Sequence, residues 1–122
     1  MSYAAYAGIQ KSTESSRDLE IRAISFITQQ LAQANQPDVE PLVRIRALNG
    51  NIRLWGLLIE DLSDPGNALP DPIKANYVSL GLYARRASVT ALSKAADLTT
   101  LIRINTDVLD ALDYQRKGSI AA

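Results

Sequence analysis

Cysteine and histidine are both absent from the 122 residues. Without cysteine there is no disulfide, no thiolate nucleophile and no thiolate metal site. Without histidine the commonest general base and the commonest metal ligand are gone as well. An excess of either charge is also lacking, because Lys+Arg and Asp+Glu each number 13 and the formal net charge is zero. The basic footprint that marks nucleic-acid binders is therefore missing. Glycines are few and scattered, so no Gly-rich loop exists to cradle a phosphate. The longest apolar run is Leu54-Trp55-Gly56-Leu57-Leu58-Ile59, far short of the ~18–20 residues of a membrane-spanning helix. Met1 to Tyr6 lacks a basic segment followed by an apolar core, so no secretory signal is expected and the chain reads as cytoplasmic. These absences point away from catalysis, cofactors and metals, and toward a protein that works by contact.

What is present suits one small globular domain across residues 1–122, with 47% apolar and 21% charged residues. Residues 1–12 and 114–122, which lose periodicity, are expected to fray. Four stretches carry helical spacing. In the first, Ser15 or Ser16 is the expected N-cap, and Ile21, Ile24, Ile27, Thr28, Leu31 and Ala34 recur on one side until Asn35. The second is expected from Asp38 as N-cap with Pro41 in its first turn. Its stripe is Leu42, Ile45, Leu48, Ile52, Trp55, Ile59 and Leu62. The stripe holds its phase through Asn49-Gly50-Asn51, so that pair predicts a glycine inside a helix rather than a hairpin turn. Ser63-Asp64-Pro65-Gly66-Asn67 is a concentrated turn signal. Asp71 followed by Pro72 predicts the next helix start, with Ile73, Tyr77, Leu80, Ala84, Ala87 and Ala91 inward. Gly81, Ala84 and Ala87 permit close helix approach. Asp97 caps a short fourth helix bearing Leu98, Leu101, Ile102, Val108, Leu109 and Leu112. The expected fold is an all-α antiparallel bundle of about four helices with short connections.

Candidate chemistry is thin. Glu60 and Asp61 are sequence neighbours and diverge by about 100° on a helix. Asp107 and Asp110 share a face, the ordinary pattern of a solvated helix surface. Arg44, Arg46, Arg53, Arg85 and Arg86 offer bidentate donors for phosphate, yet Arg44 and Arg46 project to different sides and no exposed aromatics are expected to interleave with them. Direct nucleic-acid binding is not expected. Trp55 belongs to the core stripe, and its indole N–H needs an acceptor there.

More telling are apolar residues that a four-helix core does not obviously need. Leu19 and Phe26 share a side of the first helix, off the isoleucine stripe. Val78, Leu82 and Val89 form a second stripe on the third helix, and Leu54 and Leu58 flank the Trp55 line. Either the middle helices are buried on two faces, or these residues form a surface for a partner's amphipathic helix. Leu19, Phe26, Val78 and Leu82 are the candidate partner contacts.

Several segments resemble a known family in order along the chain. Thr13-Glu14-Ser15-Ser16-Arg17-Asp18-Leu19-Glu20 is similar to the N-terminal signature of the alphaproteobacterial flagellar biosynthesis regulators of the FlaF family. Asn51, Leu54-Trp55, Asp61-Leu62 and Asn67-Ala68-Leu69-Pro70 resemble its central block. Ser79 to Tyr83 and Leu101-Ile102-Arg103-Ile104-Asn105 continue the likeness. The motif positions are thus Arg17, Asp18, Glu20, Asn51, Leu54, Trp55, Asp61, Asn67, Leu69 and Pro70. Ser16 stands where the family pattern has proline. The resemblance implies a flagellin-binding cytoplasmic secretion chaperone that promotes flagellin synthesis and export. Its alternative is an adaptor that binds an opposing FlbT-type translational regulator, or its ribonucleoprotein, and relieves repression of flagellin mRNA. Whether the chain dimerises is left open by the sequence.

Overall fold

The computed structural model describes residues 16–121. Four helices follow in order: α1 Ser16–Ala34, α2 Pro41–Ser63, α3 Asp71–Ser93 and α4 Thr99–Ala121. No strand occurs among the described residues, and the fold is an all-α bundle. No helix among them is long and apolar enough to cross a membrane.

Cross-helix contacts fix the directions. Asn51 meets Ser88 and Gly56 lies opposite Arg85, so α2 and α3 run antiparallel. Arg17 Nη1 donates to Gln115 Oε1 at 3.3 Å at one end of the α1–α4 pair, and Asn35 Nδ2 donates to Asp97 Oδ1 at 3.0 Å at the other. The same alternation places Gly50 against Ile27 between α1 and α2. The core is the shared interior, with Ile24, Leu31, Leu48, Trp55, Ala84, Leu98 and Val108 among its members.

Helix boundaries obey local chemistry, with corrections of a residue or so. The expected N-cap Ser15 lies outside the described residues, as does the expected fraying of residues 1–12; Ser16 is already helical. Asp38 does not cap α2. It sits in the turn at φ 61°, a left-handed conformation that Asp tolerates better than most residues, and Glu40 occupies the cap position ahead of Pro41. At α3 the Pro70 carbonyl accepts from Ile73 and Lys74, both at 3.0 Å, so Pro70 rather than Asp71 holds the cap position. At α4 Leu98 rather than Asp97 holds the cap position, its carbonyl accepting from Ile102 at 3.0 Å. Asp97, one residue earlier, accepts from the Thr99 N–H at 3.0 Å and the Thr99 hydroxyl at 2.7 Å. Those donors and the Asn35 amide hold its carboxyl below the usual Asp range. The fourth helix is not short: it continues past Leu112 to Ala121, with a Lys117–Asp113 ion pair at 3.1 Å along its last turns. Helix α2 passes through Asn49-Gly50-Asn51 without a break.

Three expected core residues are exposed: Leu42 at 52%, Ile45 at 42% and Ile73 at 38%. Leu42, Ile45 and Leu48 follow at steps of three, and at about 100° per residue this turns Ile45 about 60° and Leu42 about 120° away from Leu48. Anchored on Leu48 and Trp55, the α2 stripe therefore leaves the core at its N-terminal end. The inward place there is taken by Arg44, whose Nη2 donates to the carbonyls of Ala91, Lys94 and Ala96 at 3.4, 3.3 and 2.7 Å. That guanidinium serves carbonyls at and beyond the end of α3, which would otherwise need water. Ile73 lies in the first turn of α3, at the edge of the bundle.

Candidate functional site

The ten motif positions divide by what they touch. Asn51, Leu54 and Trp55 are buried on the inner side of α2. Trp55 Nε1 donates to Asn105 Oδ1 at 2.9 Å, Asn105 Nδ2 to Asn51 Oδ1 at 2.9 Å, and Asn51 Nδ2 to Ser88 Oγ at 3.0 Å. Ser88 Oγ completes the relay by donating to the Ala84 carbonyl at 2.7 Å. This chain ties α2, α3 and α4 together at one level. Ser88 was not singled out from the sequence and Asn105 only as the end of a family-like run, although both stand in slots of an apolar helical stripe. A polar residue in such a slot is the signal that could have found them.

A second group gathers where α1 meets the α2–α3 connection. Arg17, Glu20, Trp55, Asp61, Asn67 and Leu69 line a crevice of about 30 Å³, room for roughly one water. Asn67 Nδ2 donates to Asp61 Oδ2 at 3.3 Å, while its Oδ1 accepts from the Leu69 N–H at 3.0 Å. Asn67 thereby holds the turn closed from both ends, and Pro70 follows at the cap position of α3. Arg17 reaches Glu20 at 4.0 Å and also bonds Gln115. Asp18 is half-buried in the first turn of α1. The motif residues hold helices in place.

Glu20 is the one strained group here. Partial burial raises its carboxyl pKa; Arg17 opposes this, and the neighbouring Asp61 raises it further. A carboxylate with a raised native pKa destabilises the fold above that pKa and stops doing so once protonated. Glu20→Gln is therefore expected to raise the melting temperature at pH 7. The gain should shrink as pH falls through the native Glu20 pKa, and vanish below the ordinary carboxylate range. Thermal melts of both proteins across that window check it; the partial solvent access keeps the effect modest.

The four candidate contacts do not form one surface. Leu19 and Ala23 of α1 face Leu54, Leu57 and Leu58 of α2 across a groove of about 290 Å³ with Glu20 and Asp61 at one end. Phe26 is 58% exposed and borders a shallow depression on α1 that shares Leu19 and Ala23. Leu57, at 61% exposure, belongs to this groove. It was not among the candidates, since only the tertiary packing turns it away from the core. Val78 and Leu82 stand on the outward stripe of α3, on the other side of α2, with Val78 half-buried and Leu82 43% exposed. Leu54 is core, and Leu58 packs against the core from its edge.

The motif positions thus occur in sequence order and close one fold. The family model of the flagellar protein FlaF matches residues 2–112. The chain belongs to the FlaF family of flagellar proteins. No curated protein and no solved structure matches it. In this FlaF-family chain the signature residues serve chiefly as scaffold, and Glu20, Leu54 and Asp61 among them also line the α1–α2 groove.

Proposed function

We propose that this FlaF-family protein is a non-catalytic flagellin-binding chaperone and regulator of the cytoplasm, which holds a flagellin helix in the α1–α2 groove and promotes flagellin synthesis and export. The observation that carries the reading is the solvent-open groove of Leu19, Ala23, Leu54, Leu57 and Leu58 with Phe26 beside it. Large apolar side chains left in water at two adjacent helices are what an amphipathic helix needs as a seat. A flagellin segment that becomes ordered on binding loses chain entropy, so affinity stays moderate and release at the export gate stays feasible.

Phe26→Asp and Leu57→Asp should each leave the circular dichroism spectrum and melting unchanged, because both positions are exposed, and should reduce flagellin co-purification by at least about tenfold. Full recovery of flagellin with both variants would overturn the groove assignment. A calorimetric titration at two temperatures and two salt concentrations adds an independent readout. An apolar seat gives a negative heat-capacity change and weak salt dependence. The alternative, contact with a FlbT-type regulator or its ribonucleoprotein through Arg46, Arg53, Arg85 and Arg86, gives steep salt dependence instead. That alternative draws on the exposure of all four arginines; Arg44 is already committed to its three carbonyls.

A further inference from the structure

The outward face of the α2–α3 pair is polarised along its length. Arg46, Arg85, Arg86 and Lys94 lie toward the α2 N-terminus and α3 C-terminus, with Arg53 at mid-helix and Lys74 near the opposite end. Glu60, Asp61, Asp64 and Asp71 lie toward that opposite end, and Glu40 toward the first. On α2, the exposed residues Arg46, Arg53 and Glu60 are seven apart and line one side of the helix. On α3, Val78, Leu82, Arg85 and Val89 alternate spacings of four and three and form an adjacent stripe, with Val89 55% exposed. Gly56 lies opposite Arg85, and Gly81 lies opposite Trp55 and Ile59. Leu82 is therefore level with the change of sign, with Arg53 and Arg85 on one side of it and Glu60 on the other.

We infer that this face pairs with a second copy of the same chain, antiparallel about a two-fold axis at the level of Leu82. A two-fold axis perpendicular to the helices reverses their direction, so the basic half of each copy meets the acidic half of the other, twice. Arg85 of one copy is brought level with Glu60 of the other, while Leu82 meets its counterpart on the axis and Val78 and Val89 flank it. A parallel arrangement would set like charges together. The charge pattern thus selects a self-complementary partner, whereas a neutral amphipathic helix would have no use for the polarity. The strip from Val78 to Val89 spans only about 16 Å, so the dimer is weak and concentration-dependent. It leaves the α1–α2 groove free and does not rest on what that groove binds.

Sedimentation velocity on the full chain from about 1 to 200 μM, at low and at high salt, tests this. The expected result is a monomer–dimer equilibrium with the dimer populated at the upper concentrations in low salt, and a dissociation constant raised at least ~10-fold by high salt. Leu82→Asp should abolish the dimer, and Phe26→Asp should leave it unchanged. Glu60→Arg and Arg85→Glu should each weaken it about tenfold or more, and the double charge swap should restore it. Circular dichroism confirms that each exposed substitution folds. A monomer throughout, an unchanged dimer in Leu82→Asp, or a double swap no better than its single variants would overturn the inference. Leu82→Asp that lowers flagellin binding in a protein that stays monomeric would assign the strip to a different occupant and overturn it equally. The outcome is read without flagellin, so it stands or falls separately from the chaperone reading.

Discussion

Asn105→Ala is expected to lower the free energy of unfolding by about 3–5 kcal/mol, measured as a reduced urea midpoint at constant slope. The substitution takes away the acceptor at 2.9 Å from Trp55 Nε1 and the donor at 2.9 Å from Asn51 Oδ1, and both partners are fully enclosed. Each orphaned buried group costs about 1–3 kcal/mol, and the missing amide leaves a cavity besides. Against a total stability of roughly 5–15 kcal/mol this is a large share. The loss arises from unmet partners rather than from polarity as such, and a second variant separates the two. Trp55→Phe/Asn51→Leu/Asn105→Leu replaces the relay by apolar groups, and should be less destabilised than the sum of its three single changes by about 2 kcal/mol or more. Simple additivity would mean that the relay does not act as a unit.

Gly81→Val is the second large effect, a loss of about 2–4 kcal/mol despite the better helix propensity of valine over glycine. A Cβ at Gly81 would lie 2.6 Å from Trp55 Cε3 and 3.0 Å from Ile59 Cγ1. The Trp55 ring is pinned by its hydrogen bond to Asn105 and enclosed on all sides, so it has nowhere to go. Helices α2 and α3 must separate instead, and the contacts of both with the core suffer. Gly56 provides the control. Its Cβ would meet only the Arg85 guanidinium, at 3.7 Å, on the exposed side of the same pair. Gly56→Ala should therefore be neutral or stabilising by up to about 1 kcal/mol. If Gly81→Val melts with the wild type, the close approach of the two helices at that point is not what holds Trp55.

Much of the bundle is legible in the sequence. The turn at Ser63 to Asn67 depends on local chemistry: Gly66 N–H donates to Asp64 Oδ1 at 2.8 Å, as short polar side chains allow. The unbroken passage of α2 through Gly50 was legible because apolar spacing on both sides stayed in phase. The acceptor demanded by Trp55 was foreseeable as a need, though not as Asn105, which is 50 residues away in the chain. The α2 stripe was misread at Leu42 and Ile45 because two successive spacings of three rotate them about 120° and 60° from Leu48, and Arg44, nearer to the Leu48 side, takes the inward place. Of the candidate contacts, Leu19 and Phe26 fall beside one groove and Val78 and Leu82 on another face. Sequence spacing carries no knowledge that α2 stands between them.

The sequence by itself determined the number of helices, their approximate starts, the narrow range of available chemistry and, through motifs in order along the chain, the family. The first three follow from interactions within a few residues or from composition. Only the tertiary structure decided that Asn51, Ser88 and Asn105 are sealed inside while Phe26, Leu57 and Leu82 face water. Burial depends on which helix covers which, a relation between residues distant in the chain, and hydrophobicity along one helix cannot specify it.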